Sequence, residues 1–329
     1  MLIKEKYEIF KQETNSRFLK IKKNEEELNN LFIDAYELNN EMNPEVQNKN
    51  VSCSFVCDSI DFVEDEYKDC KHIITKQMVI KDLLSYAMGC VFGRFSLDVD
   101  GIVYAGGVMD WSKYKKYIPD KDNIIPINDD EYFDDDIVNK IVDFVSVVYG
   151  KETLNQNLQF IADALDYAGD NPRQVIRNYL LKDFFKDHCQ KYSNRPIYWL
   201  FDSGKENGFK ALVYLHRYNE DTIAKMRAEY LHKVQRVYES EMNRMQDIID
   251  NSTDNREVAF ARKQKEKFTK QLLETKEYDE VLGHIALQRI ALDLDDGVKT
   301  NYQKFQNIEI IKNGKQTKKN LLVNIFKEK

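Results

Sequence analysis

The chain has 329 residues, of which 42% are hydrophobic and 32% charged, and its formal net charge is -7. This length allows two or three compact units with a substantial core, and the net acidity argues against a protein that binds nucleic acid over its whole surface. No apolar run approaches the roughly 20 residues of a membrane span and the N-terminus lacks a signal-peptide core, so we expect a cytoplasmic protein without membrane contact.

Glycine and proline are scarce, with 12 and 5 residues, and long charged segments show helical periodicity. These features predict a predominantly helical α+β fold with little β-structure. The five cysteines are irregularly spaced and do not match a zinc-binding pattern, so we interpret them as buried thiols and predict no metal.

Charge is distributed in blocks along the sequence. Residues 25–69 hold thirteen acidic residues and two lysines, whereas residues 170–218 hold nine Lys or Arg and five acidic residues. Residues 299–329 hold eight lysines and two acidic residues. This alternation is compatible with a local basic contact face on a generally acidic body, although a charge run is most often a solvated face.

Residues 1–40 alternate apolar and charged positions at helical spacing, and Pro44 ends this helical region. The predicted buried stripe of this helix is Tyr7, Phe10, Phe18, Ile21, Leu28, Leu31 and Phe32. The acidic stretch that follows could supply metal ligands of a nuclease, such as Asp58 or Asp61, but no strand pattern flanks it. A solvated acidic loop is the preferred interpretation.

Two segments in the middle of the chain carry mixed signals. Trp111, Tyr114 and Tyr117 alternate with lysines, a pattern that can stack bases and hold phosphates but also arises on any amphipathic surface segment. The acidic run 129–136 precedes an apolar helix beginning at Ile137, and its carboxylates would offset the positive end of the helix dipole. We interpret them as helix-start residues before metal ligands.

Residues 194–218 show the clearest β pattern. Ile197 to Phe201 and Phe209 to Leu215 are rich in strand-forming residues, and residues 203–208 supply a polar turn, so a β-hairpin is predicted. A six-residue turn is long for a hairpin, which leaves its tip free to hold something other than the strands.

Polar and basic residues of this hairpin suit a contact with double-stranded DNA, because phosphates need Lys or Arg and base edges need Asn or Arg. The candidate DNA-binding residues are Arg195, Lys205, Asn207, Lys210 and Arg217. The alternative is a solvated hairpin whose aromatic residues form core. In that case the contact surface must be sought among Arg94, Tyr104, Lys113 and Lys116.

Two further helices follow, over residues 223–249 and from about Arg256, separated by a short polar link. They are predicted to fold back as an antiparallel coiled-coil-like arm. We therefore expect an N-terminal helical and mixed region (1–130), a region of helices plus the hairpin that carries DNA recognition (131–220), and a helical arm with a basic C-terminal segment (221–329).

The sequence contains no Gly-rich phosphate loop, HExxH, GxSxG or paired zinc knuckle, and thus no assignable catalytic residue. Five long segments do match a known family, in the same order: SYAMGCVFGRFSLD, NIIPINDDEYFDDDIVNKIVDFV, NPRQVIRNYLLKDFFKDHC, RPIYWLFDSGKENGFKALVYLHRY and HIALQRIALDLDDGVKTNY. From about Leu28 to Phe305 the chain closely resembles the C-terminal part of the PglX family, the adenine-specific DNA methyltransferases of BREX phage-defence systems.

The resemblance implies a target-recognition region, which positions duplex DNA for a separate catalytic domain. The Gly-rich S-adenosylmethionine loop and the Asn-Pro-Pro-Tyr motif of the family are missing, and neither Asn43-Pro44 nor Asn171-Pro172 continues as that motif. We therefore expect no cofactor in this chain and no methylation by it alone. The alternative is a non-enzymatic interaction module that docks a methyltransferase domain or other BREX subunits.

Overall fold

The computed structural model describes residues 1–312 and 315–326. Eleven α-helices and seven strands are assigned within them. The helices are α1 Ile3–Ala35, α2 Asp65–Lys68, α3 Lys76–Val91, α4 Ile137–Tyr149, α5 Leu154–Leu165, α6 Pro172–Lys182, α7 Phe184–Lys191, α8 Thr222–Lys225, α9 His232–Asn251, α10 Asn255–Gln288 and α11 Gly297–Gln303. The strands are β1 Phe55–Cys57, β2 Ile73–Thr75, β3 Ile124–Pro126, β4 Tyr198–Asp202, β5 Lys210–Tyr214, β6 Ile308–Lys312 and β7 Lys315–Lys319.

The described residues are 58% helical with sheets of two or three strands, which confirms the predicted predominantly helical α+β fold. Contacts divide the chain into two compact units. One comprises residues 1–86 and 145–176, and the other comprises residues 87–144 and 177–329. Each unit is thus discontinuous in sequence, whereas the three predicted regions are contiguous stretches.

In the first unit, α1 packs against β1 and α5, and β1 pairs with β2 in a short parallel sheet. The acidic stretch between α1 and β2 is ordered by its few apolar residues, since the rings of Phe55 and Tyr67 stack 4.4 Å apart beside Phe18. The side-chain amide of Asn15 bonds both the N–H and the C=O of Val56. This contact holds β1 on α1.

Asp58, a discarded metal-ligand candidate, is instead a structural carboxylate. Burial by itself would raise its pKa, but hydrogen bonds from Lys11, Tyr7 and Lys76 hold the pKa of Asp58 at about 2. The charged carboxylate of Asp58 is therefore stabilised by partners within the protein, and its role is structural.

The buried stripe predicted for α1 is only partly right. Tyr7 and Phe18 are buried, but Leu28, Leu31 and Phe32 are each more than half exposed, and Phe10 is exposed as well. Periodicity identifies an apolar face of a helix but not whether another element covers it. The stretch that follows α1 covers its face around Phe18, and the apolar face farther along α1 stays open.

The second unit is built around a three-stranded antiparallel sheet in the order β3–β5–β4. β4 and β5 form the predicted hairpin, which is confirmed, with Trp199 opposite Val213. Residues 321–323 run along the outer edge of β4, where the N–H of Asp202 bonds Leu321 O and the N–H of Val323 bonds Leu200 O. This covers an edge that would otherwise expose unpaired backbone groups.

Both faces of the hairpin are buried. The indole of Trp199 is 0% exposed and packs edge-on against Tyr302 and Phe305, whereas Tyr198 stacks on the imidazole of His188. A near-continuous apolar run is typical of a strand that is covered on both sides. The hairpin is therefore central to this unit and does not project from it as a solvated ribbon.

The antiparallel helical pair is also present, with residues 252–254 joining α9 to α10 and a π-helical turn, Met226–Leu231, preceding α9. The pair is not a free-standing arm. The hydroxyl of Tyr238 on α9 donates to Gly208 O, and that of Tyr278 on α10 donates to Leu321 O, both at 2.7 Å. The part of the pair nearest the sheet thus belongs to the core, because its large aromatic residues pack on the hairpin.

Candidate nucleic-acid interface

The turn of the hairpin is docked onto α10. One carboxylate, that of Glu274, accepts hydrogen bonds from Ser203 Oγ at 2.7 Å, from Glu206 N at 2.8 Å and from Gly208 N at 3.0 Å. The amide of Gln271 adds a bond to Glu206 O. The six-residue turn is therefore held by α10 as well as by the strands, and the tip contacts an element other than the strands, as its length suggested.

Two predicted DNA-binding residues lie in this turn. The side chain of Lys205 is 90% exposed, with Glu206 at 3.5 Å. Asn207 has a φ of 53°, in the left-handed region that asparagine tolerates better than most residues. Asn207 thus has a conformational reason to be at this position, and its partly buried side chain leaves DNA contact a prediction.

Lys210 has a carboxylate partner inside the sheet. It lies opposite Asp202 in the register of β4 and β5, its Nζ is 3.2 Å from Asp202 Oδ2, and its side chain is 13% exposed. Opposite charges at facing positions of an antiparallel pair stabilise the pairing. Lys210 thus has a structural role in the sheet, and its low exposure limits its access to a phosphate.

Arg195 and Arg217 lie at the other end of the strands. Arg195 is exposed just before β4, and Arg217 is in a 3₁₀ turn, Leu215–Arg217, that follows β5. Strand β5 ends at Tyr214, so strand alternation does not set the direction of the Arg217 side chain. A five-residue strand spans about 17 Å. The tip and the base of the hairpin are therefore separate places, and the five candidates do not form one patch.

The structure brings Arg217 together with a residue that sequence reasoning treated separately. The guanidinium lies over the indole of Trp111, with 5.6 Å to the ring centroid. It also donates to Phe92 O at 3.3 Å and to Lys121 O at 3.0 Å. Arginine commonly stacks on aromatic faces in this way.

Arg217, Trp111 and Lys121 line a cavity of about 400 Å³, which we call the Arg217 pocket. Its lining is predominantly polar and comprises Tyr104, Gly107, Met109, Trp111, Lys121, Asp122, Asn123, Arg217, Asn219, Asp221, Thr222 and Lys225. Tyr104, one of the alternative contact residues from the sequence, is buried here and bonds Gly107 O and His216 O. Its role in the pocket wall is therefore structural.

The balance of charge in the pocket is positive. Arg217 and Lys225 are half-buried and Lys121 is exposed. Of the two carboxylates, Asp221 pairs with Arg289 at 2.7 Å. Burial, and then the neighbouring Asp120, raise the pKa of Asp122.

Among the residues that the structure describes, no carboxylate is within ion-pair distance of the Arg217 guanidinium. Burial lowers the pKa of Arg217, which shows that its charge is partly desolvated. The carboxylates of Asp120 and Asp122 oppose this effect without pairing with the guanidinium, so an anion that contacts Arg217 directly would stabilise its charge further.

A cluster of carboxylates borders this pocket, but each has a partner in the protein. Asp120, Asp122 and Asp135 have oxygens within 4.8 Å of one another. Lys140 Nζ is 2.8 Å from Asp120, and the Tyr230 hydroxyl is 2.9 Å from Asp122 and 2.6 Å from Asp135. Lys225 Nζ is also 3.4 Å from Asp122, so hydrogen bonds and ion pairs within the protein hold these carboxylates together.

The end of the acidic run 129–136 has the helix-start role that its sequence suggested. Asp136 caps α4 through the N–H of Val138 and forms a buried two-pronged ion pair with Arg177.

Fold and site together describe a mixed helical unit with a rigid hairpin and a positively charged aromatic pocket. The chain is similar over most of its length to part of two adenine-specific methyltransferases, which confirms the resemblance inferred from the sequence.

The chain is 44% identical over 303 residues, or 91% of its length, to the adenine-specific methyltransferase PglX of Lacticaseibacillus casei (strain Zhang). It is 42% identical over 242 residues to the adenine-specific methyltransferase BrxX of Escherichia coli O9:H4 (strain HS).

The matched region covers 24% of PglX and 20% of BrxX, so the chain spans about a quarter of the length of these curated relatives. No protein-family model matches it. Among the helices of the described ranges, none is both long enough and apolar enough to cross a membrane.

Proposed function

We propose that the chain is a DNA target-recognition region of a BREX-type adenine-specific methyltransferase, corresponding to the C-terminal part of PglX. The observation that carries this proposal is 44% identity to PglX over nearly the whole chain. The chain contributes duplex positioning and no catalytic step, because its sequence contains neither a Gly-rich cofactor loop nor an Asn-Pro-Pro-Tyr motif.

The site supports this role through two kinds of group. Lys205 at the tip and Lys121 and Arg217 at the pocket offer positive charge to phosphates. Asn207 at the tip offers an amide, the group that reads adenine edges. The rigid support of the hairpin by α10 and residues 321–323 keeps such groups in a fixed geometry, which sequence discrimination requires.

The test is a titration of a fluorescently labelled duplex with the purified chain at several salt concentrations. We expect affinity to fall steeply as salt rises from about 50 to 200 mM, since each phosphate contact releases counterions. Absence of binding even at the lowest salt would contradict the proposal.

A second candidate function rests on α1. Leu28, Leu31 and Phe32 lie on one face of its C-terminal part, Tyr36 follows the end of the helix, and all four are more than half exposed. Apolar residues gathered on one helix face are typical of a surface that docks another protein. The alternative proposal is therefore a non-enzymatic module that docks a methyltransferase domain or other BREX subunits. Charged substitutions at Leu31 and Phe32 that abolish co-purification of such subunits, with DNA affinity unchanged, would favour it.

A further inference from the structure

We propose that the Arg217 pocket binds one nucleoside 5′-phosphate unit, with the phosphate at Arg217 and Lys121 and the base against Trp111. This inference rests on the proposed function and adds to it a ligand that is a single unstacked nucleotide, not a base pair within the duplex. Three features of the pocket lead to it.

The first feature is an anion requirement. Arg217 is half-buried, and the contacts of its guanidinium within the described residues are two carbonyl oxygens and one aromatic ring. Carbonyl groups satisfy its N–H donors but do not neutralise its charge. Since Lys121 is exposed on the same cavity and its own carbonyl anchors Arg217, a phosphate placed there would contact two cations at once.

The second feature is an open aromatic surface. The protein has two tryptophans, of which Trp199 is buried at 0% exposure, whereas Trp111 is 46% exposed. Arg217 lies over the Trp111 ring and Tyr114 meets it edge-on at 6.3 Å. These contacts orient the indole, and Trp111 nevertheless stays exposed to solvent. Stacking of a base on such a ring is tolerant of base identity.

The third feature is size and charge. The cavity of about 400 Å³ lies within the range of about 300–1,000 Å³ that small-molecule sites occupy. Both lining carboxylates already have cationic partners, since Asp122 lies 3.4 Å from Lys225 and Asp221 pairs with Arg289. Arg217 and Lys121 are the remaining lining cations, and their charge disfavours a metal cation. A cavity of this volume suits one nucleotide and is too small for a base pair held within a stacked duplex.

The structure also supplies the reporter for the test. Trp111 lies in the pocket and Trp199 is enclosed in the core. A ligand-dependent change in tryptophan fluorescence is therefore assigned to Trp111 if the Trp111→Phe variant lacks it. Titration with dAMP and dTMP is expected to give a saturable change with the parent chain and none with Trp111→Phe. Deoxyadenosine and inorganic phosphate, which each carry half of the ligand, are expected to bind at least tenfold more weakly.

Substitutions of the two cations test whether the pocket binds the phosphate, and a third substitution outside the pocket serves as the control. Lys121→Ala is expected to weaken dAMP about fivefold, and Arg217→Ala about tenfold or more. Lys115→Ala is the matched control, since this exposed lysine lies near Trp111 in sequence and does not line the cavity. If Arg217→Ala fails to fold, Lys121→Ala decides, because its side chain forms no hydrogen bond or ion pair with the residues that the structure describes.

Parallel titrations distinguish the source of the nucleotide and the two proposals. A duplex with one bulged nucleotide that binds more tightly than a perfect duplex identifies an extrahelical base as the ligand, whereas dAMP binding without this preference identifies a free nucleotide. If neither dAMP, dTMP nor the bulged duplex changes Trp111 fluorescence up to about 10 mM mononucleotide, the inference is overturned. If the proposed function is right, the perfect duplex should still bind in that case. Absence of perfect-duplex binding, with mononucleotide binding retained, would overturn only the proposed function.

Discussion

Removal of the Glu274 carboxylate tests whether α10 sets the shape of the hairpin turn. This side chain accepts three hydrogen bonds from residues 203–208, two of them from backbone N–H groups. Hydrogen bonds to a charged group contribute about 1.5–3 kcal/mol each, but they are not additive and water can replace part of them at a half-buried site. We therefore expect Glu274→Ala to lower the free energy of unfolding by about 3 kcal/mol.

Glu274→Gln should have about half this effect, because its amide oxygen keeps one acceptor position and its NH₂ group faces a donor. For a unit of this size, 1 kcal/mol shifts the melting temperature by about 2–4 °C, so Glu274→Ala should melt about 6–12 °C below the parent. The assay is calorimetric melting of the two variants and of Glu280→Ala. This last change removes an exposed carboxylate from the same helix and should have almost no effect.

A Glu274→Ala protein that melts within about 1 °C of the parent would refute the argument. It would show that the turn holds its shape without α10. Water would then satisfy the three donors, and contact with α10 would not determine the conformation of the tip.

Four further predictions concern the same unit. His188 accepts hydrogen bonds from Ile197 N and Tyr198 N. Its burial, followed by nearby Lys191 and Arg94, lowers its pKa from 6.5 to about 3. The unfolded state therefore takes up a proton before the folded state does as the pH falls below 6.5. Between pH 7 and 5 this should cost about 2 kcal/mol of stability, a loss that denaturant titrations should not find in His188→Gln. Trp199→Ala should cost about 3–5 kcal/mol by denaturant unfolding, and a smaller loss would mean that its buried site collapses around the cavity. Lys205→Ala should weaken DNA binding equally for all sequences, whereas Asn207→Gly, which keeps the left-handed backbone without strain, should relax preference at one position by about 1–3 kcal/mol in competition binding. Calorimetric titration with S-adenosylmethionine should give no saturable heat, and a stoichiometric heat would reveal a cofactor site.

The elements that sequence reasoning identified well are those with strong local signals. The aromatic and β-branched runs on either side of the polar turn marked β4 and β5, and the periodic segments around a short link marked α9 and α10. In both cases the residues that define the element are adjacent or one helical turn apart. Tertiary packing had little to decide.

What sequence reasoning missed depends on contacts between distant residues. Trp111 and Arg217 were each noted, but nothing local indicates that they stack, because the sheet brings their segments together. The capture of the turn by Glu274 is hidden for the same reason. The near-continuous apolar character of β4 was the one local sign that the hairpin is covered on both faces.

The most direct test of target recognition is an exchange of segments. In a BREX methyltransferase whose methylated sequence is known, this chain replaces the matching segment, and methylated adenines are mapped by long-read sequencing in cells that carry the rest of that system. We expect the hybrid to methylate a sequence different from that of its parent. A hybrid that continues to methylate the parental sequence would contradict it, because recognition would then lie outside this chain.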